Sequence, residues 1–145
     1  MLRNLSKLSR ASTAAVSKQL HAYPPVTLGI RFLTTIEYHN IADSTLDTIT
    51  EGFESLIEVK PDVDVDLAQG VLTIQMPPAG TYVINKQPPF SQIWLSSPIS
   101  GPKHYDWNEK QKAWISTRDP DITLGELLRR ETKDCLGLDL NLEVD

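Results

Sequence analysis

Five carboxylates recur in one short segment at helical spacing: Asp43, Asp47, Glu51, Glu54 and Glu58. At ~100° per residue they project within about 80° of one another. Asp62, Asp64 and Asp66 follow in the run DVDVDL, all on the outward face of an alternating segment. No lysine or arginine lies between Arg31 and Lys60. Like charges at i,i+4 cost a helix a few tenths of a kcal/mol per pair, and nothing within this segment offsets them. An open row of carboxylate oxygens suits hard divalent or trivalent cations, keeps water in their coordination shell and binds them weakly and exchangeably. A solvated helix face is the plain alternative. No HExxH, ExxH or EF-hand glycine accompanies the row. His39, just before the first acid turn, reads as an ordinary residue of an amphipathic helix, able to join one edge.

A second arrangement lies in NKQPPFSQIWLSSPISGPKHYDW, from Asn85 to Trp107, which holds four of the ten prolines. In QIWLS, alternation turns Ile93 and Leu95 inward and leaves Gln92, Trp94 and Ser96 outward. A register shifted by one would bury Trp94 and expose two branched aliphatics, the worse exchange. Asn85 shares the outward side if Tyr82 and Ile84 point in. An exposed tryptophan ringed by amides, beside Lys86 and a proline-stiffened loop, has the form of a protein-binding hot spot. Trp107 and Trp114 read as structural. Ser96, Ser97 and His104 form no nucleophile elbow, and no glycine-rich phosphate loop follows a strand. The single Cys135 excludes an internal disulfide and a CxxC zinc site.

These residues need elements to hold them. From Ile36 to about Val59 the period is helical, with Ala42, Leu46, Ile49, Phe53, Leu56 and Ile57 as the apolar stripe, and Pro61 stops it. The period then becomes two: DVDVDL and VLTIQM are joined at AQG, and TYVIN, QIWLS, KHYDW and AWIS follow between Pro, Gly, Asn and Lys clusters. Thr123 with Glu126 three residues later opens a second helix, whose inner side carries Leu124, Leu127, Leu128 and Cys135. The tail LGLDLNLEV is too apolar to stay in water and is expected in a groove at the core edge. Short links between strands favour an α+β fold. It is a two-layer α–β sandwich, with the N- and C-terminal helices on one face of an antiparallel sheet of about six strands. The other sheet face stays open.

Charge divides the chain. Residues 1–36 carry five basic residues and no acid, whereas all nineteen acids lie beyond. The basic, hydroxyl-rich start reads as a mitochondrial transit peptide over residues 1–35, leaving 36–145 as the folded domain. No apolar run of eighteen residues is present to span a membrane. The acidic remainder argues against nucleic acid and for cations or basic protein surfaces.

The strings GTYVINKQPP, QIWLSSP and SGPKHYDW, with the acid-rich first helix, the GVLT hairpin and the LGELL helix, resemble the frataxin family, fungal members most closely. The resemblance spans Ile36 to about Leu136. It implies an iron-binding protein of the mitochondrial matrix that takes part in iron–sulfur cluster assembly. Ferrous and ferric iron would be held by Asp43, Asp47, Glu51, Glu54, Glu58, Asp62, Asp64 and Asp66. The chain would dock on the complex of cysteine desulfurase and scaffold protein through Asn85, Lys86, Gln87, Gln92 and Trp94, stimulate persulfide transfer, and donate Fe(II). His104 stands where the family usually has arginine, and imidazole lacks the planar two-donor fork of guanidinium. The family is also credited with ferroxidase activity, iron storage, iron-dependent self-association and a role in heme synthesis, which would add ferrochelatase as a partner. A non-catalytic activator is the leading expectation and a ferroxidase or store the alternative. The latter needs carboxylate pairs such as Asp43–Asp47 or Glu54–Glu58 to bridge irons, whereas ferritin-like sites draw buried Glu and ExxH sets from several helices.

Overall fold

A capping box opens the first helix of the computed structural model, which describes residues 33–144. The Thr34 hydroxyl accepts the Glu37 N–H at 3.2 Å, and the Glu37 carboxylate accepts the Thr34 N–H at 2.9 Å. Two otherwise orphaned donors are thereby satisfied. Helix α1 runs Thr35–Ile57 and buries Tyr38, Ala42, Leu46, Ile49, Phe53 and Leu56. The leader expected over residues 1–35 lies, for 1–32, outside the described residues.

Six strands follow: β1 Asp64–Ala68, β2 Val71–Met76, β3 Gly80–Gln87, β4 Gln92–Ser97, β5 Gly101–Asn108 and β6 Ala113–Ser116. They form one antiparallel meander in chain order, with β1 and β6 at the edges. Between β1 and β2, Gln69 (φ 52°) and Gly70 (φ 76°) are both left-handed, the backbone of a tight hairpin whose twist matches its strands. Helix α2, Leu124–Leu136, starts on a second capping box at Thr123 and Glu126 and ends at Gly137 with φ 70°.

One core joins the layers. Leu72, Ile74, Met76, Tyr82, Ile84, Ile93, Leu95 and Tyr105 come from the inner sheet face; Leu124, Leu127 and Leu128 come from α2. Each such side chain is worth roughly 1.5–3 kcal/mol when fully removed from water. Trp114 is fully buried and donates its indole N–H to Thr45 Oγ1 at 2.9 Å; Trp107 packs half-buried against the core. Cys135 also packs against it but remains half-exposed. The tail lies as expected: Leu140, Leu142 and Val144 are buried. It crosses α1 at Gly52, where a Cβ would stand 3.0 Å from the Asn141 carbonyl oxygen. The two-layer sandwich leaves the second sheet face bare.

Candidate cation ridge and open sheet face

Register fixes what the bare face presents. Val71, Asn85, Trp94 and His104 lie side by side across β2, β3, β4 and β5. Gln87, Gln92 and Asp106 form the next row. Ile93 and Leu95, on either side of Trp94, are 0% and 2% exposed, so the indole stands away from the helices as alternation predicts. Its N–H donates to Gln92 Oε1 at 2.9 Å, while Gln92 Nε2 donates to Asp106 Oδ1 at 2.9 Å. The Gln92 carbonyl accepts the Tyr38 hydroxyl at 2.8 Å, tying this strand to α1.

Trp94 has two ring neighbours. The His104 imidazole lies 4.2 Å away and 9° from parallel; the Phe90 ring lies 5.8 Å away at 22°. Phe90 closes the short 3-10 turn Pro88–Phe90 and is 61% exposed. It did not figure among the expected contacts, although it stands directly after the paired prolines. The result is an aromatic ledge on a polar sheet, with the apolar faces already held in place.

Lys86 is separated from this group. Alternation along β3 turns it to the helix side with Tyr82 and Ile84. Its ammonium forms an ion pair with Asp43 of α1 and stands 3.4 Å from His39 Nδ1. The lysine side chain keeps 17% of its exposure and the aspartate 53%. The countercharge missing from the helix is therefore supplied by a strand 43 positions away.

The acids themselves occupy two surfaces. Asp43, Asp47, Glu51, Glu54 and Glu58 are all exposed along α1, and Asp62 is exposed just beyond it. Asp64 and Asp66 pair with Gln75 and Thr73, opposite in sense to the buried Ile74 register, and so belong to the bare face at edge strand β1. Among the described residues, no three His, Cys, Asp or Glu side chains converge to enclose a metal. Exposed carboxylate oxygens are donors for hard, hydrated cations. The ammonium seated between Asp43 and His39 shows that one cation already finds favourable ground there.

Beneath the β4–β5 turn, the buried Glu131 carboxylate of α2 accepts from Tyr82 Oη at 2.9 Å and from Ser97 Oγ at 2.7 Å. Ser97 Oγ in turn accepts the N–H groups of Ile99 and Ser100, each at 3.0 Å. Burial raises the Tyr82 phenol pKa, and the adjacent Glu131 carboxylate raises it further. This network anchors the loop that leads into His104.

A family model described as a frataxin-like domain matches residues 31–138. The mitochondrial frataxin homologue of Schizosaccharomyces pombe is 56% identical over 97 residues, covering 66% of this chain and 61% of that protein. The Saccharomyces cerevisiae homologue, also mitochondrial, is 43% identical over 103 residues, covering 70% and 58%. The chain thus spans about three-fifths of the length of these curated relatives. Among solved structures, trimeric S. cerevisiae frataxin in a ferrous complex aligns with TM-score 0.62 at 38% identity, covering 80% of this chain and all of that one.

Proposed function

The chain belongs to the frataxin family, and from that premise we propose that it is a non-catalytic activator of iron–sulfur cluster assembly. Its relatives are mitochondrial proteins and so is this one. We place its work in the matrix, with residues 1–35 as the leader and 36–145 as the working domain. The partner is the complex of cysteine desulfurase and scaffold protein, met through the bare sheet face.

The observation that supports this most is the Trp94 ledge. A half-exposed indole held by Gln92, His104 and Phe90 adds little to a hydrophobic core that lies on the opposite side of the sheet. It is already ordered, so docking costs little further side-chain entropy, and large aromatic anchors of this kind dominate binding energy. Asn85, Gln87, Gln92 and His104 surround it as polar contacts.

Iron is cargo in this reading. Asp43, Asp47, Glu51, Glu54 and Glu58 offer exposed oxygens along α1, Asp62 offers another just beyond it, and Asp64 and Asp66 offer theirs on the bare face at the sheet edge. Open carboxylates release what they bind, which suits a donor. The yeast structure in a ferrous complex supports iron binding, and its trimeric form supports self-association.

The test is a pull-down and sulfur-transfer assay with purified desulfurase and scaffold, using wild type and Trp94→Ala. Loss of binding and of stimulation by a folded variant is expected. Full stimulation by Trp94→Ala removes the proposal.

A further inference from the structure

We infer that Lys86 is the built-in competitor of the cation ridge: its ammonium occupies the donor pair of His39 and Asp43, and a metal ion that takes this pair releases the lysine. The inference rests on the ridge binding cations, and adds which protein group that binding displaces.

The geometry carries it. His39 and Asp43 are four residues apart on α1 and so stack on one side of the helix. Both point a lone-pair atom at the same object, the Lys86 ammonium, which ion-pairs with Asp43 and lies 3.4 Å from His39 Nδ1. One nitrogen and one carboxylate oxygen form a donor pair suited to a first-row divalent ion. An ammonium and a metal cannot share it, since both need the same lone pairs and repel each other.

The lysine is also aimed rather than free. Its backbone N–H bonds to the Gly70 carbonyl at 3.3 Å. Its Cε passes Gly70 so closely that a Cβ there would stand 3.0 Å from it. The β1–β2 turn thus steers the stem toward α1. Asn85 and Gln87, the two chain neighbours of Lys86, sit on the bare face in line with Trp94 and Gln92. Loading this pair therefore frees the ammonium on the helix side of β3, across the strand from that face.

Two consequences separate this from a general charge effect. Removing the competitor raises cation affinity at this end of the ridge alone, by about two- to five-fold if the pair has the strength of ordinary partly exposed ion pairs. Cation binding, conversely, exposes the Lys86 amine to reagents.

The experiment uses Mn2+ as the probe on the full chain. Paramagnetic broadening of backbone amides is titrated in wild type, Lys86→Met and, as a charge-matched control, Lys110→Gln in the β5–β6 turn. Acetylation of Lys86 by acetic anhydride is followed by mass spectrometry with and without Mn2+. Tighter broadening around His39 and Asp43 in Lys86→Met only, with faster acetylation of wild-type Lys86 when Mn2+ is present, is the expected result. An equal gain in Lys110→Gln, no gain in Lys86→Met, or an unchanged acetylation rate overturns the inference and leaves ridge binding intact. Absence of broadening along α1 in all three proteins removes the ridge reading and this inference together.

Discussion

The imidazole of His104 lies flat on the indole of Trp94, 4.2 Å between centroids and 9° from parallel. Residues directly opposite on antiparallel strands meet in this way. The stack fixes a side chain that would otherwise sample several rotamers in water. Imidazole and guanidinium both stack on an indole, although only guanidinium adds a fixed charge and a two-donor fork.

Changing His104 to Ala should therefore loosen the ledge without unfolding the domain. An aromatic pair of this kind contributes about 0.5–1.5 kcal/mol beyond its buried area, and the loss should fall within that range in urea unfolding. His104→Arg should retain the stack and add a fixed positive charge to the ledge. Ring-current shifts of the residue 104 protons report the stack directly: they should vanish in Trp94→Ala. Unchanged shifts in that variant would contradict the stacked geometry.

Glu131 offers a second measurement. Its carboxylate accepts from Tyr82 and Ser97 in a site where Glu131 is only 5% exposed. Glu131→Ala strands two buried donors, and each unsatisfied group costs about 1–3 kcal/mol. Tyr82→Phe removes one donor together with its need for a partner and should cost less than half as much. A double-mutant cycle between the two positions should show strong coupling; additive losses would mean that the network does not act as a unit.

Most of this architecture is legible in residue order because each local signal agrees with its neighbours. Alternation in QIWLS is enough to point Trp94 outward, since Ile93 and Leu95 compete for the same inner face. The Thr123–Glu126 box is legible in the sequence, whereas the Thr34–Glu37 box is not, because it lies ahead of Ile36, where the helical period first becomes legible. Lys86 shows the limit. Adjacency in NKQ suggests one cluster, but a strand sends neighbouring side chains to opposite faces, and its Asp43 partner is distant in sequence. Phe90 is hidden for a related reason: a turn, not a strand, aims its ring. Glu131 reads as an ordinary polar residue of α2, and only the placement of Tyr82 and Ser97 beneath it reveals a buried acceptor.

Alkaline pH should destabilise the domain through its buried phenols. Burial raises the pKa of Tyr82 and Tyr105, with the Glu131 carboxylate adding to both, and burial also raises that of Tyr38. An unfolded phenol ionises near ~10. Below that pH both states hold the proton and these groups impose no pH dependence. Above it the unfolded chain loses protons that the folded chain retains, so stability falls by about 1.4 kcal/mol per pH unit for each phenol until the folded value is reached. Urea midpoints at pH 7, 10 and 11 should show a plateau followed by a decline. Tyr105→Phe removes one titrating group, and its hydroxyl has no hydrogen-bond partner among the described residues. The variant should be at least as stable as wild type at pH 7, since it sheds a buried hydroxyl without a partner, and should decline less steeply above pH 10; an identical slope would exclude Tyr105 as a contributor.

The tail across Gly52 makes the sharpest stability test, because one substitution should change sign with its presence. Leu140, Leu142 and Val144 are 4%, 5% and 8% exposed, and Arg129 Nη1 donates to the Leu142 carbonyl at 2.6 Å. Ending the chain after Leu138 gives up roughly 1.5–3 kcal/mol per buried side chain. Because the tail is ordered in the native fold, this burial outweighs the backbone entropy of holding it, and the shortened chain should melt at a lower temperature than the full one. In the full chain, Gly52→Ala places a Cβ 3.0 Å from the Asn141 oxygen and 3.3 Å from Leu142 Cδ1, and the tail must shift to admit it. In the shortened chain that obstacle is gone, and alanine should stabilise α1 by about 1 kcal/mol over glycine. Thermal melts of the four proteins decide the matter: an equal effect of Gly52→Ala in long and short chains would mean that the tail does not seat on α1 in solution.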